Sequence, residues 1–254
     1  METSVTQSGP SLETFYQRLQ RQMLGLDPKV RLDADLRLAR LDLEAGAVLY
    51  REGQEEEHLF ILDEGWAIAV SYLAGGSRFV HRIYQAGDMI GLEDTSWGYA
   101  TSTVLAVTSS RYARMKKFDH LRFFATTRPL GAALHGIAMI DQVVMMDIAR
   151  ATARLQASAR VAHLLLQIEA RQQLTAPAED ASFECPLTQR HIADAVGLSL
   201  VQTNKSLREL RMREMITRTA TGYRIERRDE MIGLAGFVNR YEITGTPPVA
   251  LKAG

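Results

Sequence analysis

Residues 187–216, LTQRHIADAVGLSLVQTNKSLRELRMREMI, restrict the possible folds of this chain more than any other stretch. Thr188 has the side chain of a helix N-cap, and Ile192, Ala193, Val196 and Leu198 follow as one apolar face. Gly197 suits the left-handed backbone of a tight turn. Ser199 is a second N-cap. On the helix it starts, Thr203, Leu207 and Leu210 fall inward, while Leu200, Val201, Gln202, Asn204, Lys205 and Arg208 stay outside. Two short helices around a tight turn, the second also carrying Arg211 and Arg213, are how a chain offers a helix to the DNA major groove. The following ITRTATGYRIE reads as two short strands around Thr221-Gly222, a wing.

Charge supports that reading. The 254-residue chain has 30 basic and 30 acidic residues and no net charge. From 186 to 228, however, nine Lys/Arg face four Asp/Glu, so this segment is +5 and the remainder −5. A basic module on an acidic body points to a polyanionic partner. The single cysteine, Cys185, excludes an intrachain disulfide, a cysteine-based zinc site and a four-cysteine iron–sulfur cluster. No charged start precedes an apolar core, and no uninterrupted apolar run approaches ~18 residues. The expectation is a cytoplasmic protein with no membrane partner.

The rest of the chain divides by texture. Residues 1–34 form a polar tail and a helix over about 12–26, with Leu12, Phe15, Leu19, Met23 and Leu26 at helical spacing. Residues 35–128 hold short alternating runs ended by glycines at 46, 53, 65, 75, 76, 87 and 91, the pattern of an antiparallel β-barrel. Residues 129–156 form a long helix. Leu134, Ile137, Asp141, Val144, Ile148, Ala151 and Leu155 recur at alternating three- and four-residue intervals, a heptad seam that predicts a homodimer. The opposite side, with Ala138, Val143, Met145 and Ala149, is also apolar, so this helix has two surfaces to bury. Residues 157–232 contain another helix and the helix-turn-helix. The last segment, 233–254, has a possible terminal helix over 233–243. The fold class is α+β.

Two stretches in this order carry a resemblance. AGAVLYREGQEEEHLFILDEGWAIAV (45–70) resembles the start of the sensing barrel of the CRP/FNR superfamily of bacterial regulators. LTQRHIADAVGLSLVQTNKSLREL (187–210) is similar to that family's winged helix-turn-helix, and QASARVAHLLL to the helix leading into it. The resemblance implies a cyclic-nucleotide-binding-like jelly roll, a central dimer helix and a DNA-binding domain. It also implies double-stranded DNA and RNA polymerase as partners. Aligned on the family's Glu-Thr-Val-Ser-Arg recognition pattern, Val201 stands at the glutamate, Gln202 at the threonine, Asn204 at the serine and Lys205 at the arginine. A lysine is a point charge where arginine would read guanine with two bonds. An operator differing from the family's common half-site is therefore expected. Thr188, Gln189, Arg190, Ser199 and wing residue Arg218 complete the expected DNA contacts, with Gln189, Arg190 and Arg218 on phosphates.

The resemblance also locates what is missing. Family members that bind cyclic nucleotide use a glutamate for the ribose and an arginine for the phosphate. Here Leu92 and Ala100 fill those positions. A phosphate site without its cation is a poor site, so the expected effector is a small molecule other than cyclic AMP. Gly91, Glu93, Tyr99, Thr101, Ser102 and Arg82 are the candidate pocket residues. Cyclic-nucleotide control and redox control through Cys185 are the alternatives. His58, His81, His120 and His135 are the only candidate haem ligands near the sensing end. Met139, Met145 and Met146 beside Trp97, Tyr99 and Phe124 are a candidate apolar pocket. With no His-x-His, HExxH, Gly-x-Ser-x-Gly or phosphate loop, neither a metal-dependent barrel enzyme nor any other enzyme is expected, and no cofactor is assigned.

Overall fold

The structure is a computed structural model that describes residues 12–22, 38–119, 128–175 and 181–242. The expected N-terminal tail, Met23, Leu26, His120, Phe124 and residues 243–254 lie outside these. A helix α1 (Glu13–Gln22) precedes eight strands: β1 (Ala39–Leu43), β2 (Val48–Tyr50), β3 (His58–Glu64), β4 (Trp66–Tyr72), β5 (Arg78–Gln85), β6 (Met89–Ile90), β7 (Thr103–Ala106) and β8 (Ser110–Lys116). They form two antiparallel sheets of order β1-β8-β3-β6 and β2-β7-β4-β5. The barrel expected from the sequence is thus a pair of facing four-stranded sheets, a jelly roll. Many short strands signal either arrangement equally.

Strand alternation decides what covers each sheet. On β3, Phe60 and Leu62 enter the space between the sheets, while Leu59 and Ile61 pack under α1 and the start of α2 (Arg128–Arg154). On β4, Ala67 and Ala69 face the interior, while Trp66, Ile68 and Val70 face outward onto α3 (Ala157–Gln172) and the C-terminal domain. Both faces of both sheets are therefore buried. Each fully buried Leu or Ile here contributes roughly 1.5–3 kcal/mol.

The C-terminal domain contains β9 (Ser182–Glu184), α4 (Gln189–Val196), α5 (Leu200–Met212), β10 (Ile216–Arg218), β11 (Gly222–Ile225) and α6 (Arg228–Ala235). The wing has three strands, β10-β11-β9, rather than the two read from the sequence. Gly222 makes the third possible: a Cβ there would sit 2.0 Å from the Phe183 carbonyl oxygen. The terminal helix expected over 233–243 instead occupies Arg228–Ala235. Asp229 and Glu230 favour its first turn, and Gly236, at φ 53°, ends it.

Ion pairs tie the C-terminal half to the sheets. Asp88, between β5 and β6, is 2% exposed and pairs with both Arg18 of α1 and Arg171 of α3. Arg171 also donates to the Ile83 carbonyl at 2.9 Å. Arg78 of β5 reaches Asp194 of α4 at 2.7 Å.

The heptad residues of α2 sit on its inward face. Leu134, Ile137, Val144 and Ala151 are buried within one chain, Ile148 packs on the same core and Leu155 is half-buried. Asp141, expected to pair across a dimer, pairs with Arg82 of its own β5 at 2.5 Å. Heptad spacing identifies an apolar face without saying what covers it. The outward face carries a second stripe at the same intervals: Ala132, His135, Met139, Gln142, Met146, Ala149 and Ala153, all exposed.

Candidate nucleic-acid interface

The helix-turn-helix is built by local capping. The Thr188 hydroxyl accepts from the His191 N–H at 3.1 Å, and the His191 ring faces the Thr188 N–H. Gly197 takes φ 65°, ψ 43° and turns the chain, and the Leu198 N–H closes on the Ala193 carbonyl at 3.0 Å. Ser199 caps α5 through the Gln202 N–H at 3.2 Å, while the Ser199 N–H donates to Gln202 Oε1 at 3.2 Å. These reciprocal pairs satisfy two orphan donors at each helix start.

Burial sorts the residues of α5. Thr203, Ser206, Leu207 and Leu210 are inside; Val201, Gln202, Asn204, Lys205 and Arg208 are exposed. Ser206 was not anticipated as an inner residue. Gln202, expected to read a base, already gives its carboxamide oxygen to the cap, which leaves only its N–H₂ free. Among the described residues, Lys205 and Arg208 have no ion pair. Arg190 is exposed and spans 3.3 Å to Asp194. In the wing, Arg218 lies 4.6 Å over the Tyr223 ring, which stiffens an otherwise solvated side chain. The outer surface thus presents Val201, Asn204, Lys205 and Arg208 in two successive turns of one helix, flanked by Arg190 and Arg218.

Comparisons with known proteins agree with this geometry. Residues 159–233 match the Crp-like helix-turn-helix domain, and residues 40–127 match the cyclic nucleotide-binding domain, together well over half of the chain. The chain belongs to the CRP/FNR family. It is a CRP/FNR-type transcription regulator with a DNA-binding helix-turn-helix. FixK2 from Bradyrhizobium japonicum superposes with a TM-score of 0.70 at 19% identity, over 78% of this chain and 98% of that one. A CRP-family transcriptional regulator from Thermus thermophilus gives 0.62 at 19%, over 78% and 97%. A CooA mutant from Carboxydothermus hydrogenoformans gives 0.60 at 14%, over 91% and 98%. At these identities the likeness establishes the shared fold. No curated protein sequence matches the chain significantly.

The sensing domain of this CRP/FNR regulator departs from a cyclic-nucleotide site in its interior as well as in its sequence. Tyr50, Phe60, Tyr84 and Tyr112 fill the space between the sheets. Ala100, at the arginine position, is fully buried. Next to it the Thr101 N–H and hydroxyl both donate to Asp94 Oδ1, at 2.8 and 2.6 Å. A carboxylate of the chain itself takes donors that a bound anion would otherwise use. Glu93 accepts from the Tyr84 hydroxyl at 3.0 Å, and burial pushes that phenol well above its ordinary pKa.

The six expected pocket residues do not line one cavity. Gly91 packs near Leu59 and Tyr50, Ser102 is buried, and Tyr99 is exposed on the surface beside Trp97. Arg82 is drawn to Asp141 on α2, which raises its pKa against the opposing effect of burial. The Met139, Met145 and Met146 side chains are exposed rather than lining an apolar pocket with the aromatics. Cys185 is fully buried, and burial pushes its thiol up to about 11. A thiol held protonated and shielded is a poor redox sensor. His58 bonds Glu56 at 2.9 Å and His81 bonds Ser71 at 2.7 Å. Among the described residues, no group of three His, Cys, Asp or Glu is placed to hold a metal.

Proposed function

We propose that this regulator binds a pseudo-palindromic operator as a homodimer, with one α5 in each of two successive major grooves. The carrying observation is the outer face of α5, where Lys205 and Arg208 stand exposed and unpaired beside Val201 and Asn204. Two-fold symmetry would place the two recognition helices about 34 Å apart, one DNA turn. Val201 suits a thymine methyl and Asn204 an adenine edge, so the half-site should differ from one read by Glu and Arg. Through this binding the protein would recruit or block RNA polymerase. It works in the cytoplasm and carries no catalytic activity of its own. Gly131–Arg154 has the length and mean hydropathy, 1.4, of a membrane span. Asp141 and Asp147 on it, with the Asp141–Arg82 pair to the sheet, favour a packed helix in a soluble dimer.

A gel shift on operator selected from genomic fragments tests this reading. Affinity should fall steeply between about 50 and 200 mM salt, by about 10³-fold or more for six or more phosphate contacts. Lys205→Ala should weaken binding by roughly 1–3 kcal/mol and relax preference at one base position. Unchanged affinity and specificity would remove α5 from the groove.

The signal is not a cyclic nucleotide. Ala100 offers no cation, and Asp94 holds a negative charge where the phosphate would sit. Isothermal titration with cyclic AMP and cyclic GMP should show no saturation up to about millimolar ligand, a free energy of only ~4 kcal/mol. Micromolar binding would overturn this.

A further inference from the structure

A cleft of about 720 Å³, including its open mouth, lies where four elements meet. Its walls are β5, α2, α3 and the end of α4, so it touches the sensing domain, the long helix and the helix-turn-helix at once. It is separate from the interior between the sheets, which tyrosines fill. Val80, Ile83, Val144, Ile148, Leu164 and Ile168 make most of it apolar.

The polar part is unusual. Four lining residues, His163, Gln167, Arg171 and Tyr241, are each at least nine-tenths buried. His163 Nε2, Gln167 Oε1, Arg171 Nε and the Tyr241 hydroxyl have no hydrogen-bond partner among the described residues. A buried polar group left unpaired costs about 1–3 kcal/mol, so four around one cleft call for something to bond them. Three are donors or can be: the tyrosine O–H, the arginine Nε–H and the histidine ring N–H. Burial lowers the His163 pKa, so the ring stays neutral and has one N–H to place. The Gln167 carboxamide can turn its N–H₂ inward.

Charge points the same way. Arg82, Arg160 and Arg171 line the cleft against one carboxylate, Asp141; Asp88 and Glu93 lie behind Arg171 and Arg82, outside the lining. An apolar, narrow cleft with converging donors and surplus positive charge is complementary to a slender chain ending in an anion. We propose that this interdomain cleft is the effector site and that it takes an aliphatic monocarboxylate. The proposal rests on the regulator reading for its consequence: a ligand there contacts Ala195 and Val196 of α4 together with β5, and so biases the orientation of the DNA-binding domain.

The test is calorimetric titration of the full-length protein, without DNA, using sodium octanoate, with octan-1-ol as the neutral control. Octanoate should saturate one site per chain, and octanol should bind at least tenfold more weakly. Tyr241→Phe and His163→Leu should each weaken octanoate about tenfold or more, the size of a lost bond to a charged group. Neither removes a bond made within the chain, so melting temperatures should hold or rise. No saturable binding of octanoate, or equal binding by both variants, would overturn the proposal. Because no DNA is present, octanoate binding by a protein that shifts no operator would count against the regulator reading and leave the site standing. The converse result would leave the regulator and remove the site.

Discussion

Replacing Asp88 by Asn should lower the melting temperature by about 10 °C. The carboxylate sits 2% exposed between the guanidiniums of Arg18 and Arg171 and accepts the Gln85 N–H at 2.8 Å. Asparagine keeps the shape and removes the charge, so two buried cations lose their shared counter-ion. Breaking one side of a buried pair costs about 3–5 kcal/mol, and a domain of this size loses roughly 2–4 °C per kcal/mol. Asp42→Asn is the control. Its side chain is about half exposed and meets Arg40 and Arg111 at the surface, where a pair is worth roughly 0–1 kcal/mol. Thermal unfolding followed by circular dichroism reads both. An Asp88 variant melting within a degree or two of wild type would mean that the apolar face of β4 and β5, not this pair, holds α3 to the sheets.

That ion pair illustrates what one sequence does and does not disclose. Asp88 and Arg171 are 83 residues apart, and nothing local marks either as a partner. Capping is different, since Thr188 to His191 and Ser199 to Gln202 are three residues apart and their chemistry is complete within one turn. The helix-turn-helix was therefore readable to the residue. Even so, the cap takes part of Gln202, which alignment alone had given wholly to DNA. Strand β9 was missed because three residues, SFE, are too few to show a period; its place depends on Gly222, about forty positions further on. The filled sensing interior was half legible. Ala100 announced a missing cation, but only the fold brings Asp94 to the Thr101 N–H.

Met146→Glu should convert the protein to a folded monomer and weaken binding to a full operator by about 10²–10⁴-fold, the advantage two linked half-sites confer. The outward stripe of α2, from Ala132 through Met139 and Met146 to Ala153, keeps three- and four-residue spacing, and Met146 is 65% exposed. Nothing in the single chain covers it, while its apolar surface and repeat suit a parallel copy of itself. Across a two-fold axis the variant would set two carboxylates against each other in an apolar seam, which few kcal/mol of association survive. Val144→Glu separates this face from the inward one. Val144 is 8% exposed within its own chain, so a charge there should destabilise the fold itself and lower the melting temperature. Sedimentation velocity and circular dichroism distinguish the two outcomes. A Met146 variant that remains dimeric, beside a Val144 variant that is a well-folded monomer, would return the interface to the inward heptad residues. It would also require α2 to leave its own sheets when two chains associate.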